Sequence, residues 1–296
     1  MILVTGATSQ VGILLVRNLA LDGQKVRCFV RKTSNIDGLE QKGVEIFYGD
    51  IEDPESLRTA ARGVDHIVHI AGIWRSNTLL EVCKEEAFAG RVIFVGSTSR
   101  FKKLDSIDPE EKRLAEKMCE AEAYIAGSEL NYVILRPTML YGLDRDKNIL
   151  HIIKFMKRFR FYPQIGRGTA YKHPVYVGDV VDAIVSCLFS SKVVNKDYIL
   201  AGAKPIRYKD MLNVIRRNLP FRAFIFRVPV FAAYTAVFIY KIFKPSSYIN
   251  FAMVKRVNED IIYDIGQANK DFGYSPVDFE AGVREQINYL VGKKLL

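Results

Sequence analysis

Short apolar runs recur along the first half of the chain, separated by stretches in which apolar residues return every three or four positions. The runs near 1–5, 25–30, 44–48, 65–70, 91–96 and 132–136 have the length and content of buried strands. Stretches near 10–21, 54–62, 76–87 and 109–126 have the period of helices. Regular β–α alternation predicts the α/β class, here a Rossmann-type doubly wound parallel sheet covered by helices on both faces. After Arg136 the pattern loosens. Helices are predicted near 147–159, 178–190, 207–218, 228–243 and 279–291, with a strand near 196–200. Residues 1–140 are therefore expected to form the sheet domain and 141–296 a smaller, mainly helical lobe. Later elements could return to the sheet. Met1 opens directly into an apolar strand, so no signal peptide is expected. Cys28, Cys83, Cys119 and Cys187 are far apart and read as small core residues of a cytoplasmic protein.

The stretch Thr5-Gly6-Ala7-Thr8-Ser9-Gln10-Val11-Gly12 adds chemistry to this pattern. It joins the first strand to the first helix through a glycine-rich turn. Backbone N–H groups at a helix N-terminus favour an anion, and glycines let a pyrophosphate approach. Gly6, Thr8, Ser9, Gln10, Val11 and Gly12 are thus candidate dinucleotide contacts. Ser9 stands where a glycine is usual; its Cβ narrows the approach, while its hydroxyl can donate.

Ligands of doubly wound sheets lie at the carboxyl ends of the strands. After the second strand come Arg31 and Lys32. Basic residues there suit the 2′-phosphate of NADP, whereas an acid would hold the ribose of NAD. NADP is the expected cofactor, with NAD the alternative. Asp50 and Ile51 follow the third strand, Asp50 either bonding an adenine amine or capping the helix at Pro54. Ile70, Ala71 and Gly72 follow the fourth strand and permit close backbone approach.

Charge is unevenly placed. Residues 1–140 carry 18 Lys and Arg against 20 Asp and Glu, whereas 141–296 carry 25 against 13. Stretches 147–178 and 211–258 contain no acid. An anionic partner on the C-terminal side is expected.

These motifs resemble the extended and atypical short-chain dehydrogenase/reductases, in particular the nucleotide-sugar epimerase/dehydratase group. The phosphate loop, Gly49-Asp50-Ile51, His69-Ile70-Ala71-Gly72, the run Leu135-Arg136-Pro137-Thr138-Met139-Leu140-Tyr141-Gly142, and His173 through Val180 are similar to the family's segments. So is Asp264 through Gly282. The resemblance implies that Pro137 and Thr138 pass the nicotinamide, and that the lobe after them holds a nucleotide-linked or lipid-linked sugar.

One departure limits what can be carried over. The family uses a Ser or Thr after the fifth strand and a Tyr-x-x-x-Lys on the next helix. Ser97 and Thr98 supply the hydroxyl, and Lys112 lies at the expected distance before Arg136. Asp108 occupies the tyrosine's place. Asp108-Pro109-Glu110-Glu111 has the composition of a helix start, which makes Asp108 a cap. Lys112 either holds a ribose or pairs along its helix, and Tyr141 is the replacement phenol expected near the nicotinamide. Each histidine is expected to be structural, and no metal spacing is present.

On the substrate side, aromatic and basic residues interleave over 151–172, and Arg158, Arg160, Arg167 and Lys172 are the candidate phosphate contacts. No nucleic-acid module is recognisable. Residues 228–243 are apolar nearly all round but too short to span a bilayer, so they form a buried helix, a homodimer contact or a helix lying in a membrane interface. Peripheral membrane contact through 211–258 is the expectation that joins this helix to its basic surroundings. Three functions remain open: an NAD(P)-dependent oxidoreductase or epimerase, a non-catalytic dinucleotide-binding sensor or assembly subunit, and a lipid reductase.

Overall fold

The computed structural model describes residues 1–244 and 251–296. Six strands follow one another through the first half: β1 (Ile2–Thr5), β2 (Val26–Val30), β3 (Val44–Tyr48), β4 (His66–His69), β5 (Arg91–Val95) and β6 (Asn131–Pro137). Four short strands come next: β7 (Met139–Tyr141), β8 (Phe161–Ile165), β9 (Tyr171–Lys172) and β10 (Pro174–Tyr176). The last three are β11 (Lys196–Leu200), β12 (Ile206–Arg207) and β13 (Phe224–Val228). The central sheet has the order β11-β6-β5-β4-β1-β2-β3, and every pair in it is parallel. The order reverses at β1, where β2 lies on one side and β4 on the other. A crevice opens at such a switch point, above the carboxyl ends of the strands.

Alternate residues of the strands feed two cores. Ile2 and Val4 of β1 face α1 (Gln10–Leu21) and α7 (Val177–Phe189), in one cluster with Leu15, Leu19, Val180 and Ile184. Leu3 faces the other way, in a cluster with Leu57 of α2 (Pro54–Ala61), Leu79 of α3 (Asn77–Glu85) and Met118 of α5 (Pro109–Ala126). All five side chains of β5 are buried, as a strand covered on both faces requires. The short helix α4 (Ser99–Lys103) lies between β5 and α5.

A third cluster builds the lobe. Ile153 and Met156 of α6 (Ile149–Phe159) pack with Leu212 of α8 (Tyr208–Asn218) and Ile287 of α12 (Phe279–Gly292). Three two-stranded ribbons, β7–β10, β8–β13 and β9–β12, knit this lobe together. The other helices are α9 (Val230–Phe243), α10 (Phe251–Val257) and α11 (Gly266–Phe272). The predicted helix at 228–243 is thus present as α9, but only Ala233 and Val237 of it are buried. Among the described residues no helix is long and apolar enough to cross a membrane.

Candidate dinucleotide site

Backbone contact at the switch point explains the glycines. Gly6 has φ +69°, and a Cβ there would stand 2.7 Å from the Ala71 nitrogen. A Cβ on Gly12 would stand 2.5 Å from the Gly6 oxygen. The loop therefore folds tightly on itself and against the β4 turn. Ser9 is the N-cap of α1, its Oγ accepting from the Gly12 N–H at 3.1 Å. That bond uses an oxygen lone pair and leaves the hydroxyl hydrogen available.

His69 braces the adjoining turn from inside. Its imidazole is completely buried, which pushes its pKa down to about 4 and keeps it neutral near pH 7. Nε2 lies 3.2 Å from the Gly72 carbonyl and so must donate, leaving Nδ1 to accept from the Thr5 hydroxyl at 3.1 Å. The histidine thus joins the end of β1 to the turn after β4, a structural role.

Two compartments meet over Ala71. The first, about 280 Å³, is lined by Gly6, Thr8, Phe29, Arg31, Gly49, Ile51 and Arg75. Arg31 and Arg75 are exposed guanidinium groups, and no carboxylate lines this end among the described residues. Lys32 is exposed and does not line it. Asp50 is exposed, lies outside the lining and does not cap α2: its Oδ1 accepts from the Glu52 N–H at 3.0 Å, while Asp53 is the cap. The second compartment, about 390 Å³, is lined by Ser9, Gln10, Val11, Ile70, Gly72, Ser97, Pro137 and Thr138, with Trp74 and Met118 as apolar walls. The Oε1 of buried Gln10 has no partner among the described residues. Together the compartments have the shape a dinucleotide needs: a glycine cradle between a ribose end and a nicotinamide end. The residues present fit that group.

Two lining residues, Trp74 and Arg75, lie outside the motifs that the sequence singles out. They sit on the single turn Ile73–Arg75, three and four residues after the Ala71 step, where any residue beyond a strand end can reach the crevice. The available signal is the chain's one tryptophan, placed two residues after a glycine.

The expected chemistry is only partly assembled. Ser97 lines the nicotinamide end, and its Oγ accepts from the Ser99 N–H at 3.1 Å. Thr98 is buried and turned to the Pro137 carbonyl. Asp108 is the N-cap of α5, Oδ1 accepting from Glu110 and Glu111 N–H at 3.0 and 3.2 Å. Lys112 lies on the exposed side of α5 and does not line the cleft. Tyr141 corrects an expectation. It is 1% exposed, held under Gly282 and between Tyr176 and Phe279, and burial raises its pKa far above that of an ordinary phenol. Such a group is core, not an acid at the nicotinamide. Leu140 lines the cleft instead.

The candidate phosphate contacts do not converge either. Arg158, Arg160 and Arg167 are exposed and absent from the cleft wall. Arg158 lies over the Phe159 ring and Arg160 over the Phe221 ring. Lys172 is 2% exposed, and its Nζ donates to the Arg256 and Glu259 carbonyls at 2.7 and 2.6 Å. Burial lowers its pKa to about 8, and its bonds fix the end of α10 and the residues that follow it. What does sit beside the cleft is a buried ion network: Arg136 donates to Glu122 at 2.7 and 2.9 Å and pairs with Asp197, tying β6 to α5 and β11. A Cβ on Gly96 would stand 3.2 Å from Glu122 Oε1.

With this geometry in place, comparison with known proteins gives the family. A model described as NAD(P)H-binding matches residues 6–157. The chain belongs to the NAD(P)H-binding family. It is 24% identical to the 2-alkyl-3-oxoalkanoate reductase of Shewanella oneidensis, covering 95% of this chain and 84% of that one. It is also 24% identical to the photosystem II assembly factor Ycf39 of Guillardia theta, covering 94% and 90%. A shorter match, 46% over 69 residues, covers 23% of this chain and 21% of sterol demethylase protein B of Methylococcus capsulatus. Among solved structures, UDP-glucuronic acid 4-epimerase of Bacillus cereus, in complex with UDP-glucuronic acid and NAD, superposes with a TM-score of 0.74 at 20% identity, covering 100% and 99%. This NAD(P)H-binding chain therefore has the fold of the extended short-chain dehydrogenase/reductases, nucleotide-sugar epimerases among them.

Proposed function

We propose that the chain is an NADP(H)-dependent protein of the oxidoreductase/epimerase type that works in the cytoplasm on a sugar carried by a lipid or a nucleotide. The observation that carries the cofactor reading is the pair Arg31 and Arg75 lining the ribose end, where no carboxylate is among the described lining residues; Arg75 also pairs with exposed Glu52 at 3.8 Å, outside that lining. Two guanidinium forks offer planar, charge-assisted bonds to a 2′-phosphate. NADP(H) would be held by the N–H groups of the Gly6–Gly12 turn, by Arg31 and Arg75, and by the walls at Ile70, Pro137 and Thr138. The nicotinamide, when bound, supplies hydride transfer. Ser97 would position a carbonyl or alcohol at that end, and Trp74 and Met118 would keep water from it.

A lipid carrier is favoured over a nucleotide because Arg158, Arg160 and Arg167 stand on the outer surface rather than in the cleft. The likeness to a relative named 2-alkyl-3-oxoalkanoate reductase instead supports the alternative of a reductase whose substrate is itself a lipid, with no sugar. A second reading, a non-catalytic dinucleotide-dependent sensor or assembly subunit, is favoured by one observation: neither tyrosine nor lysine lines the nicotinamide end among the described residues.

Titration of NADPH and NADH into the parent protein and into Arg31→Asp tests the cofactor reading. NADPH should bind at least about tenfold more tightly, and the substitution should cost it about 1.5–3 kcal/mol, the scale of a charged hydrogen bond, with NADH nearly unaffected. Equal affinities in the parent would overturn it. NADPH consumption, for a net reduction, and product analysis with NADP⁺, for an epimerisation that returns its hydride and consumes no cofactor, on lipid-linked and nucleotide-linked sugars then separate the enzyme from the sensor.

A further inference from the structure

Among the described residues, helix α9 packs by one narrow side only. Ala233 and Val237 are buried against Val254 of α10. On the rest of the helix Phe231, Phe238 and Phe243 are 74%, 58% and 79% exposed, and Ile239 and Ile242 are exposed with them. A monomer surface rarely leaves so many large apolar side chains together unless something covers them. Pro229 links α9 directly to β13, where Phe224 and Phe226 are also exposed and Phe226 lies against Phe161 of the paired strand β8.

The charges around these groups select the cover. No acid occurs anywhere in 211–258. Arg216, Arg222, Arg227 and Lys244 are exposed within it, and exposed Arg158 and Arg160 lie at the end of α6, just before Phe161. Fourteen residues of helix reach about 21 Å, less than the hydrocarbon thickness of about 30 Å, so α9 lies along an interface rather than across it. A second copy of the chain is disfavoured as the cover. A two-fold contact sets a surface patch against itself, and this one would bring its basic groups together with no acid to answer them. Aromatic side chains among arginines and lysines instead match the boundary between acyl chains and anionic headgroups.

We propose that α9, with the β8–β13 ribbon that leads into it, docks the protein on an anionic lipid bilayer. Arg158 and Arg160, whose sequence setting suggests substrate phosphates, serve headgroups instead. This docking does not depend on the substrate or on cofactor preference, and it is measured without either.

Flotation of the full chain with vesicles of phosphatidylcholine alone, and of phosphatidylcholine mixed with phosphatidylserine, tests it. The protein should float with the mixed vesicles, float far less with the neutral ones, and release as salt rises. Phe231→Ser combined with Phe238→Ser should weaken binding by about tenfold or more, the scale of two apolar side chains withdrawn from the boundary. Arg222→Glu with Arg227→Glu should do the same on mixed vesicles. A far-ultraviolet circular dichroism spectrum and a cooperative thermal transition like the parent's confirm that each variant has folded. Equal flotation with both vesicle types, or none with either, overturns the proposal. So does a stable dimer in sedimentation that the phenylalanine substitutions turn into a monomer, because the face would then be covered by a second copy.

Discussion

The dinucleotide cradle and the C-terminal lobe are built from similar apolar patterns, yet they use their charged residues in opposite ways. In the cradle, position along the chain determines position in space. Each strand ends at the same edge of the sheet, so Gly6, Arg31, Ile51 and Ala71 meet although they are far apart in sequence. In the lobe, basic residues that are neighbours in sequence diverge. Arg158 and Arg160 point to solvent over aromatic rings, while Lys172 is buried on two carbonyls. A ladder of parallel strands imposes a common direction; short ribbons and amphipathic helices impose none.

The comparison can be broken at the glycines, where the largest effect is expected. Gly6 and Gly63 share a φ of +69°, but a Cβ at Gly6 meets the Ala71 backbone and one at Gly63 meets nothing within 4 Å. Alanine at Gly63 should cost only the left-handed strain, about 1 kcal/mol. Alanine at Gly6 should add overpacking, for a total of about 3 kcal/mol, and should abolish NADPH binding. Chemical denaturation of both variants checks this. Similar losses at the two positions would mean that the loop does not depend on touching the β4 turn.

A smaller effect is expected at the start of α5, where the lost tyrosine would stand. Asp108 accepts from two N–H groups of the first turn. Asp108→Ala should lose about 0.5–2 kcal/mol, and Asp108→Asn should stay close to the parent because asparagine caps as well. Thermal unfolding measures the stabilities. Once a substrate is found, the asparagine variant should keep its turnover; a loss of about a hundredfold with unchanged stability would make Asp108 an acid after all.

How far the sequence can be read follows the same division. All six early strands, β11 and helices α1, α2, α3, α5 and α7 are legible because burial on one or both faces leaves a period in the apolar residues, whereas the five-residue α4 buries none and leaves no such period. The glycine loop, Arg31 and Ile70, expected from the rule that strand ends fall at the ligand edge, and Thr138, expected from the resemblance, all line the crevice. The short strands β7 to β10, β12 and β13 leave no period in their few residues and exist through their pairing partners. Tyr141 misleads for a related reason. It lies close in sequence to Pro137 of the cleft wall, but the chain turns at β7 and carries the phenol into the core beneath Gly282. Helix α9 lies where its apolar run predicts, yet an apolar helix looks alike in sequence whether a core or a bilayer faces it.

The smallest effects should come from the residues whose spacing misleads. Arg158→Ala and Arg167→Ala change exposed side chains that touch no part of the cleft, so stability should move by about 0.5 kcal/mol or less and NADPH affinity not at all. Lys172→Ala is the contrast within the same group. Removing a buried ammonium takes a donor from the Arg256 and Glu259 carbonyls, of which the Arg256 carbonyl keeps the Glu259 N–H at 3.3 Å, and should cost about 1–3 kcal/mol. Denaturation midpoints and NADPH titration on the three variants decide the matter. A fall in NADPH affinity in Arg158→Ala or Arg167→Ala would return those residues to the site. A Lys172→Ala protein as stable as its parent would remove the structural role of that buried lysine.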